Sequence, residues 1–232
     1  MSRMVDVVHL IERDGALLFP VPPGWVALSS ASVGGGLVWP RLVVNLGVGD
    51  SFLRTDLDAY VEERLAALGR DDTPVTALLT AADVRCWTGG EADGVEAWAT
   101  VAATKPTWAA RPGGLGVRVE EDTPPEPGTV NIVVAVPAPL TGSALVQAVG
   151  TVTEAKAQAL LHAGVPGTGT ASDAVVVLCP DAAEGRAPVP FAGVRSPWGH
   201  RVAEAVRQAV STGMQVNPWP RVAADPDPER VW

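Results

Sequence analysis

Residues 128–173 read GTVNIVVAVPAPLTGSALVQAVGTVTEAKAQALLHAGVPGTGTASD, and they run directly into a second apolar segment, AVVVLC, at 174–179. Two short apolar runs on either side of a long segment with helical spacing predict strand, helix, strand. Thr141 is a good N-cap for the helix, and Gly164 is a typical terminator. We therefore expect residues 130–179 to form a right-handed β-α-β crossover.

The helix carries a lysine where an apolar residue would be expected. At 100° per residue, Lys156 falls in the middle of an arc of Ala, Val and Leu side chains. An unpaired buried ammonium costs several kcal/mol, so Lys156 must pair with a carboxylate, snorkel to solvent or face a cavity. A snorkelling lysine and a lysine that points at a functional site are both compatible with the pattern. Glu154 lies about 200° away around the helix, so the two side chains cannot easily serve one small volume.

The loop that follows the helix, GTGTASD at 167–173, is rich in small residues. Such residues expose backbone N–H groups, which can cradle an anion or an oxyanion. Asp173 stands at the head of a buried strand, where a positioned carboxylate is often found. The loop lacks the G-x-x-x-x-G-K-[ST] pattern, so it is not a P-loop, and a plain glycine turn is the alternative interpretation.

The remaining chain predicts further strands and two further helices. Asp14-Gly15 lies between apolar runs and predicts a tight hairpin. Helices are expected at 56–68 and 197–212. Together these patterns predict an α+β fold: a single domain over 1–216, with a mixed or largely antiparallel sheet layered with helices. The proline- and aspartate-rich tail at 217–232 is expected to be flexible.

Composition excludes several classes of function. The 232 residues carry a net charge of −9, and the basic residues form no run or stripe, which argues against a nucleic-acid partner. No apolar run approaches the roughly 18 residues of a membrane helix, and the N-terminus lacks a signal-peptide pattern. We therefore expect a cytoplasmic protein without a membrane partner. The shortage of lysine, with abundant Ala, Gly, Val and Pro, suggests a bacterial source.

The thiols and imidazoles give little sign of a metal or redox site. Cys86 and Cys179 form no C-x-x-C pair, and both are expected to be reduced core thiols. The histidines are scattered without zinc-ligand spacing. We expect neither a metal nor a cofactor. The oligomeric state stays open, with a homodimer as one option.

Several segments together resemble the adenosylcobinamide amidohydrolase family, CbiZ. The matching pieces occur in the family's order and cover most of the chain from about residue 28 to 210. They are Ser29-Ser30 with the glycine run 34–36, Asn45, GTVNIVV at 128–134, PLT at 139–141, TEAK at 153–156, GTGTASD at 167–173, and FAG with SPWG within 191–199.

The resemblance implies a corrinoid-salvage hydrolase that cleaves the aminopropanol amide of adenosylcobinamide, or of a related cobamide, to give adenosylcobyric acid. The corrinoid is then the substrate and not a cofactor. The residues present fit this chemistry, and we expect catalysis by Glu154, Lys156 and Asp173, with Glu154 or Asp173 as the base and Lys156 as oxyanion stabiliser or proton donor. The substrate-binding residues that the resemblance implies are Ser29, Ser30, Gly35, Asn45, Asn131, Thr168, Gly169 and Thr170.

Two other hypotheses remain open. Thr129 follows a glycine and opens a strand, as in hydrolases that cleave themselves before Thr or Ser, so it is a candidate nucleophile. Alternatively, the protein binds a corrinoid without turning it over. Intact mass distinguishes the first hypothesis, and the absence of a cobyric acid product distinguishes the second.

Overall fold

The structure, a computed structural model, describes residues 7–49, 52–70, 74–110, 128–182 and 187–219. Within these ranges it contains ten strands and three α-helices. The strands are β1 (Ile11–Arg13), β2 (Ala16–Pro20), β3 (Trp25–Ser29), β4 (Gly36–Val38), β5 (Leu42–Gly47), β6 (Val75–Thr80), β7 (Thr88–Ala92), β8 (Val95–Ala102), β9 (Thr129–Ala135) and β10 (Ala174–Pro180). The helices are α1 (Leu57–Ala67), α2 (Gly142–His162) and α3 (Pro197–Val216).

The central strands are apolar on both faces, and this decides the layering. Every residue of β9 is buried, as are five of the six residues of β5. A strand with two apolar faces must be covered on both sides, which one layer of helices cannot do. The chain therefore forms two sheets instead of the one sheet that the sequence predicted.

The two sheets have the strand orders β1-β2-β5-β6 and β4-β3-β10-β9-β8-β7. Parallel pairing occurs between β5 and β6 and between β9 and β10, and the other neighbours pair antiparallel. The α+β fold with mixed sheets is confirmed. So is the β-α-β crossover, because α2 connects the adjacent parallel strands β9 and β10.

Three apolar clusters fill the spaces between four layers. One lies between α1 and the four-stranded sheet, and another lies between the two sheets. The largest lies between the six-stranded sheet and the pair α2 and α3. Alternate residues of β9 therefore face different layers: Ile132 belongs to the helix-side cluster and Val133 to the inter-sheet cluster.

Local signals place the ends of the key elements as expected. Asp14 and Gly15 both have positive φ, at 48° and 75°, as a two-residue hairpin turn requires. The Thr141 hydroxyl accepts a hydrogen bond from Ala144 N and caps α2, and Gly164 follows the helix with φ 79°. Of the predicted tail, residues 220–232 lie outside the described residues. In the described part of the chain, no helix combines the length and apolarity needed to cross a membrane.

The cysteines differ more than the sequence suggested. Both are free, but Cys86 is exposed, so its assignment to the core was wrong, whereas Cys179 is buried. Cys86 lies in a short 3₁₀ turn, Val84–Cys86, outside the sheets. Burial raises the pKa of the Cys179 thiol to about 11.

This difference predicts a two-step thiol titration. With a pKa of about 11, only about one Cys179 thiol in a thousand is ionised at pH 8, and the thiolate is the reactive form. We expect Ellman's reagent to modify one thiol rapidly in the folded protein and the second only after a denaturant is added. Cys86→Ser should abolish the rapid phase. Two rapid equivalents in the folded parent protein would contradict the placement of Cys179.

Candidate active site

Several of the polar residues singled out by sequence lie close together where β9 and β10 begin. These strands are parallel neighbours, with Ala174 opposite Asn131, so their first residues lie at the same edge of the sheet. Gly128 and Thr129 open β9, while Ser172 and Asp173 precede β10. Lys156 approaches this edge from α2, which covers the helix-side face.

Lys156 is buried and paired. Its ammonium donates to Asp173 Oδ2, and the side chains of Lys156 and Asp173 are only 8% and 10% exposed. Of the three possibilities that the sequence left open, the structure shows pairing with a carboxylate. The buried pair places a positive charge in a weakly polar setting, where its field on a neighbouring group is stronger than in water.

The Asp173 carboxylate also holds the loop and the head of β9. Its Oδ1 accepts from Val130 N at 2.8 Å and from Thr170 Oγ1 at 2.5 Å. Its Oδ2 accepts from Thr170 N at 3.0 Å besides the lysine. Three fixed donors and a share of the Thr170 hydroxyl engage both oxygens of this carboxylate, so the geometry favours a positioning role over that of a general base.

Gly169 is the point of closest approach within the loop. A Cβ built there would lie 2.5 Å from Lys156 Nζ and deep inside van der Waals contact with Asp173 Oδ2. The glycine at this position is therefore required by the ion pair beneath it.

The loop's backbone is less available than the sequence suggested. The N–H groups of Gly167, Thr168 and Thr170 already donate to Val165 O, Thr107 O and Asp173 Oδ2. The half-buried Thr168 hydroxyl also accepts from Ala109 N at 3.3 Å. Since these three N–H groups already have acceptors, an oxyanion here would have to be stabilised by other donors.

Two hydroxyls contact the carbonyl oxygen of Gly128, and a third contacts one of these two. Ser172 Oγ lies 3.0 Å and Thr170 Oγ1 lies 2.8 Å from the Gly128 oxygen. Thr129 Oγ1 lies 2.8 Å from Ser172 Oγ. Thr129 is 4% exposed, while Ser172 is at the surface, so this group reaches from the interior to solvent.

A second polar group lies deeper, between the two sheets. Asn131 Nδ2 donates to Asn45 Oδ1 at 2.9 Å and to Leu79 O at 2.8 Å, and Asn45 Nδ2 donates to Thr100 Oγ1 at 3.0 Å. Asn45 and Asn131 are 3% and 1% exposed. Their amides bind one another across the sheets, which fixes the relative position of the sheets next to the edge described above.

Ser29 and Ser30, which belong to the segments that resemble the family, form hydrogen bonds at the end of β3, next to β10. Ser30 Oγ accepts from Val175 N at 3.0 Å, and Ser29 Oγ accepts from Ala31 N at 3.0 Å. A Cβ at Gly35 would collide with Ala31 O. These residues therefore shape the turn after β3 beside the start of β10, and their substrate contact stays a prediction.

Glu154 lies apart from this group. It is exposed on α2, whereas Lys156 is buried, as their angular separation on the helix requires. Ser172, at the surface, belongs to the polar group at the strand edge, and the buried Thr100 belongs to the group between the sheets, although sequence reasoning selected neither. Ser172 stood within the quoted GTGTASD motif, and Thr100 could be found only through its pairing with Asn131 in the sheet.

A cleft of about 390 Å³ lies elsewhere, between the end of β2 and the loops around Trp25, Trp39 and Arg41. Trp25 pairs with Pro180 at the far end of β10, so the cleft lies at the opposite end of that strand from Asp173. These two tryptophans therefore do not flank the Lys156–Asp173 pair. Among the described residues, no group of three or more His, Cys, Asp and Glu side chains could hold a metal ion.

Two solved structures share the general arrangement only weakly. A protein of Pyrococcus horikoshii aligns with a TM-score of 0.47 and 15% identity, covering 86% of this chain and 77% of the other. The second is an L-aminopeptidase D-Ala-esterase/amidase from Ochrobactrum anthropi, described as a variant of the Ntn hydrolase fold. It aligns with a TM-score of 0.38 and 13% identity, covering 90% of this chain and 82% of the other. TM-scores this low support no conclusion about this chain.

Sequence relatives are more informative. An adenosylcobinamide amidohydrolase of Halobacterium salinarum is 34% identical over 225 residues, which are 93% of this chain and 89% of the relative. One of Methanosarcina mazei is 36% identical over 95 residues, 38% of this chain and 48% of the relative. Both relatives are archaeal, and the bacterial source of this chain stays a prediction. A family model described as adenosylcobinamide amidohydrolase matches residues 2–219. The chain therefore belongs to the adenosylcobinamide amidohydrolase family, CbiZ, whose named members are amide-bond hydrolases.

Proposed function

We propose that this protein hydrolyses the amide between the corrin propionyl side chain and aminopropanol in adenosylcobinamide. One water is consumed, and adenosylcobyric acid and aminopropanol are released. Family membership supports the amide hydrolysis. The observation that carries the location of the site is the buried Lys156–Asp173 ion pair beneath the loop of small residues at 167–172.

This arrangement supports one of the elements that amide hydrolysis needs, the stabilisation of the oxyanion. Negative charge develops on the carbonyl oxygen as the tetrahedral intermediate forms, and fixed donors in a water-poor site stabilise it. The Lys156 ammonium and the Thr170 and Ser172 hydroxyls are the proposed donors. Asp173 holds Lys156 and Thr170 in place, which makes it a positioning residue in this proposal.

Product analysis tests the reaction. In water enriched in ¹⁸O, we expect the protein to convert adenosylcobinamide to adenosylcobyric acid with one ¹⁸O in the new carboxylate, together with free aminopropanol, both identified by mass spectrometry. Hydrolysis at any other bond would give different masses. Tight binding of unchanged adenosylcobinamide would instead support the hypothesis of a corrinoid-binding protein without turnover.

Two substitutions on α2 test the location of the site. We expect Lys156→Met to lower kcat/KM at least about a hundredfold, the usual size for a group in the acid–base or oxyanion machinery. Glu154→Gln tests whether the exposed carboxylate takes part as the base. A large loss in Glu154→Gln with full activity in Lys156→Met would move the site to the exposed face of the helix. Arg13→Met, at an exposed hairpin cation, is the control.

A further inference from the structure

The peptide bond between Gly128 and Thr129 has an unusual hydrogen-bonding environment. The Thr129 hydroxyl lies 2.8 Å from Ser172 Oγ, and Ser172 Oγ lies 3.0 Å from the carbonyl oxygen of Gly128. One serine therefore links the hydroxyl of Thr129 to the carbonyl oxygen that immediately precedes it. A proton can pass along this chain from the threonine oxygen to the oxygen of the same peptide bond.

Hydrogen bonds also hold the chain on both sides of the Gly128–Thr129 peptide bond. Thr170 Oγ1 lies 2.8 Å from the Gly128 oxygen, and Asp173 Oδ1 accepts from Val130 N at 2.8 Å, one residue beyond Thr129. The one proton of the Thr170 hydroxyl can go either to Gly128 or to Asp173, which lies 2.5 Å away. A Cβ at Gly128 would lie 2.7 Å from Thr104 Oγ1, so a larger residue would force either Thr104 or the Gly128 backbone to move.

Other buried threonines show what a purely structural hydroxyl does in this protein. Thr88 donates to Ala209 O at 2.7 Å, and Thr151 donates to Ala192 O at 2.9 Å. Each ties its own element to a carbonyl far away in the chain. The Thr129 hydroxyl is instead coupled through Ser172 to its own peptide bond, next to a buried cation.

We propose that Thr129 is a nucleophile that first cleaves the Gly128–Thr129 bond and then, as a new N-terminal residue, attacks the substrate amide. The first half depends only on the geometry above. The second half rests on the proposed function, since it supplies the nucleophile for the hydrolysis of the aminopropanol amide.

The cleavage proceeds in two balanced steps. Thr129 Oγ adds to the Gly128 carbonyl carbon through a five-membered ring, and its proton passes through Ser172 to the carbonyl oxygen. The C–N bond then breaks as the carbonyl re-forms, and that proton goes to the departing nitrogen, which leaves an ester on Thr129 Oγ and a free α-amine. Water hydrolyses the ester to the Gly128 carboxylate and regenerates the hydroxyl.

The substrate reaction repeats this chemistry with an external carbonyl. Thr129 Oγ adds to the corrin side-chain amide, and its proton passes to the neighbouring α-amine and then to the departing aminopropanol nitrogen. The resulting corrinoid ester on Thr129 is hydrolysed by water to adenosylcobyric acid. A threonine activated by its own N-terminal amine is an established chemical arrangement for such a nucleophile.

Intact-mass spectrometry of the purified full-length protein tests the cleavage. We expect two polypeptides, residues 1–128 and 129–232, that elute together under native conditions and separate when denatured. The intact chain made by cell-free synthesis should be cleaved into the two polypeptides at a rate independent of protein concentration, because the reaction is intramolecular. A chain that stays intact, or one that is cut at another bond, overturns the proposal.

Variants identify the attacking group. Thr129→Ser should still cleave, whereas Thr129→Val, which keeps the side-chain shape, should not. Ser172→Ala removes the link between the two oxygens and should slow cleavage about a hundredfold, as expected for loss of one oxyanion donor. Ser143→Ala, an exposed hydroxyl on α2, is the matched control and should cleave at the parent rate. Circular dichroism verifies that each variant folds, and cleavage of a folded Thr129→Val variant overturns the proposal.

The readouts separate this proposal from the proposed function. An intact chain that hydrolyses adenosylcobinamide overturns the role of Thr129 and leaves the function standing. A cleaved chain that releases no adenosylcobyric acid overturns the function and the second half of this proposal, with the maturation step retained. If the chain is cleaved and also releases adenosylcobyric acid, brief incubation with substrate should trap the corrinoid ester on the 129–232 polypeptide. A Thr129→Val variant with parent activity overturns the assignment of the nucleophile.

Discussion

Replacing Lys156 with methionine is expected to lower the free energy of unfolding by about 3–5 kcal/mol, the usual cost of breaking a buried ion pair. Methionine fills a similar volume in the apolar face of α2, so the loss comes from Asp173, whose charge stays buried without its cation. Urea denaturation followed by circular dichroism measures the change, provided that the m value stays constant. A loss below about 1 kcal/mol, typical of an exposed pair, would show that the ammonium is solvated.

A second substitution separates the charge from the packing. Asp173→Asn removes the negative charge and keeps Oδ1 as the acceptor for Val130 N. Combined with Lys156→Met, it should recover part of the lost stability, with a coupling of at least about 1 kcal/mol between the two positions. Activity should not recover, because the cation that we propose acts on the substrate is still absent. Arg13→Met at the exposed Arg13–Asp14 pair provides the reference for a solvated cation.

Gly169→Ala is expected to cost about 1–3 kcal/mol of stability, as overpacking typically does, and to reduce kcat by about a hundredfold. The added methyl group would lie 2.5 Å from Lys156 Nζ and even closer to Asp173 Oδ2, so the loop or the ion pair must move. We expect either movement to disturb the hydrogen bond from Thr170 to the Gly128 carbonyl. Steady-state kinetics and urea denaturation of the same preparation measure the two effects.

Gly150→Ala is the matched control for that substitution. Gly150 is an exposed glycine within α2, and a Cβ there meets nothing within 4 Å. Alanine should therefore stabilise the helix by about 0.5–1 kcal/mol and leave kcat unchanged. Equal changes in stability and in kcat for Gly150→Ala and Gly169→Ala would show that the close approach of Gly169 to the ion pair affects neither quantity.

Much of the fold could be read from local patterns. Thr141 and Gly164 mark the ends of α2 because a capping hydroxyl and a residue with positive φ satisfy helix termini through neighbouring atoms alone. Asp14-Gly15 set the first hairpin in the same way. The misplaced Lys156 was also visible in the sequence, since helical periodicity alone assigns its face.

The second sheet was not visible, and the reason is physical. Strands such as β5 and β9 are apolar on both faces, which shows that both faces are covered. This pattern does not show which kind of layer covers each face. Helices and a second sheet bury such a face equally well. The contact between Asn45 and Asn131, 86 positions apart, exists only because the two sheets stack.

The sequence by itself determined the family, the β-α-β unit and the place of Lys156 on the apolar face of α2, because these depend on motifs and on spacing along the chain. Tertiary structure alone decided that Lys156 is buried against Asp173 and that Ser172 links Thr129 to the Gly128 carbonyl. Those relations depend on which strands become neighbours and in what register. Since a parallel β9–β10 pair brings positions some 43 residues apart to one edge, no local pattern could specify them.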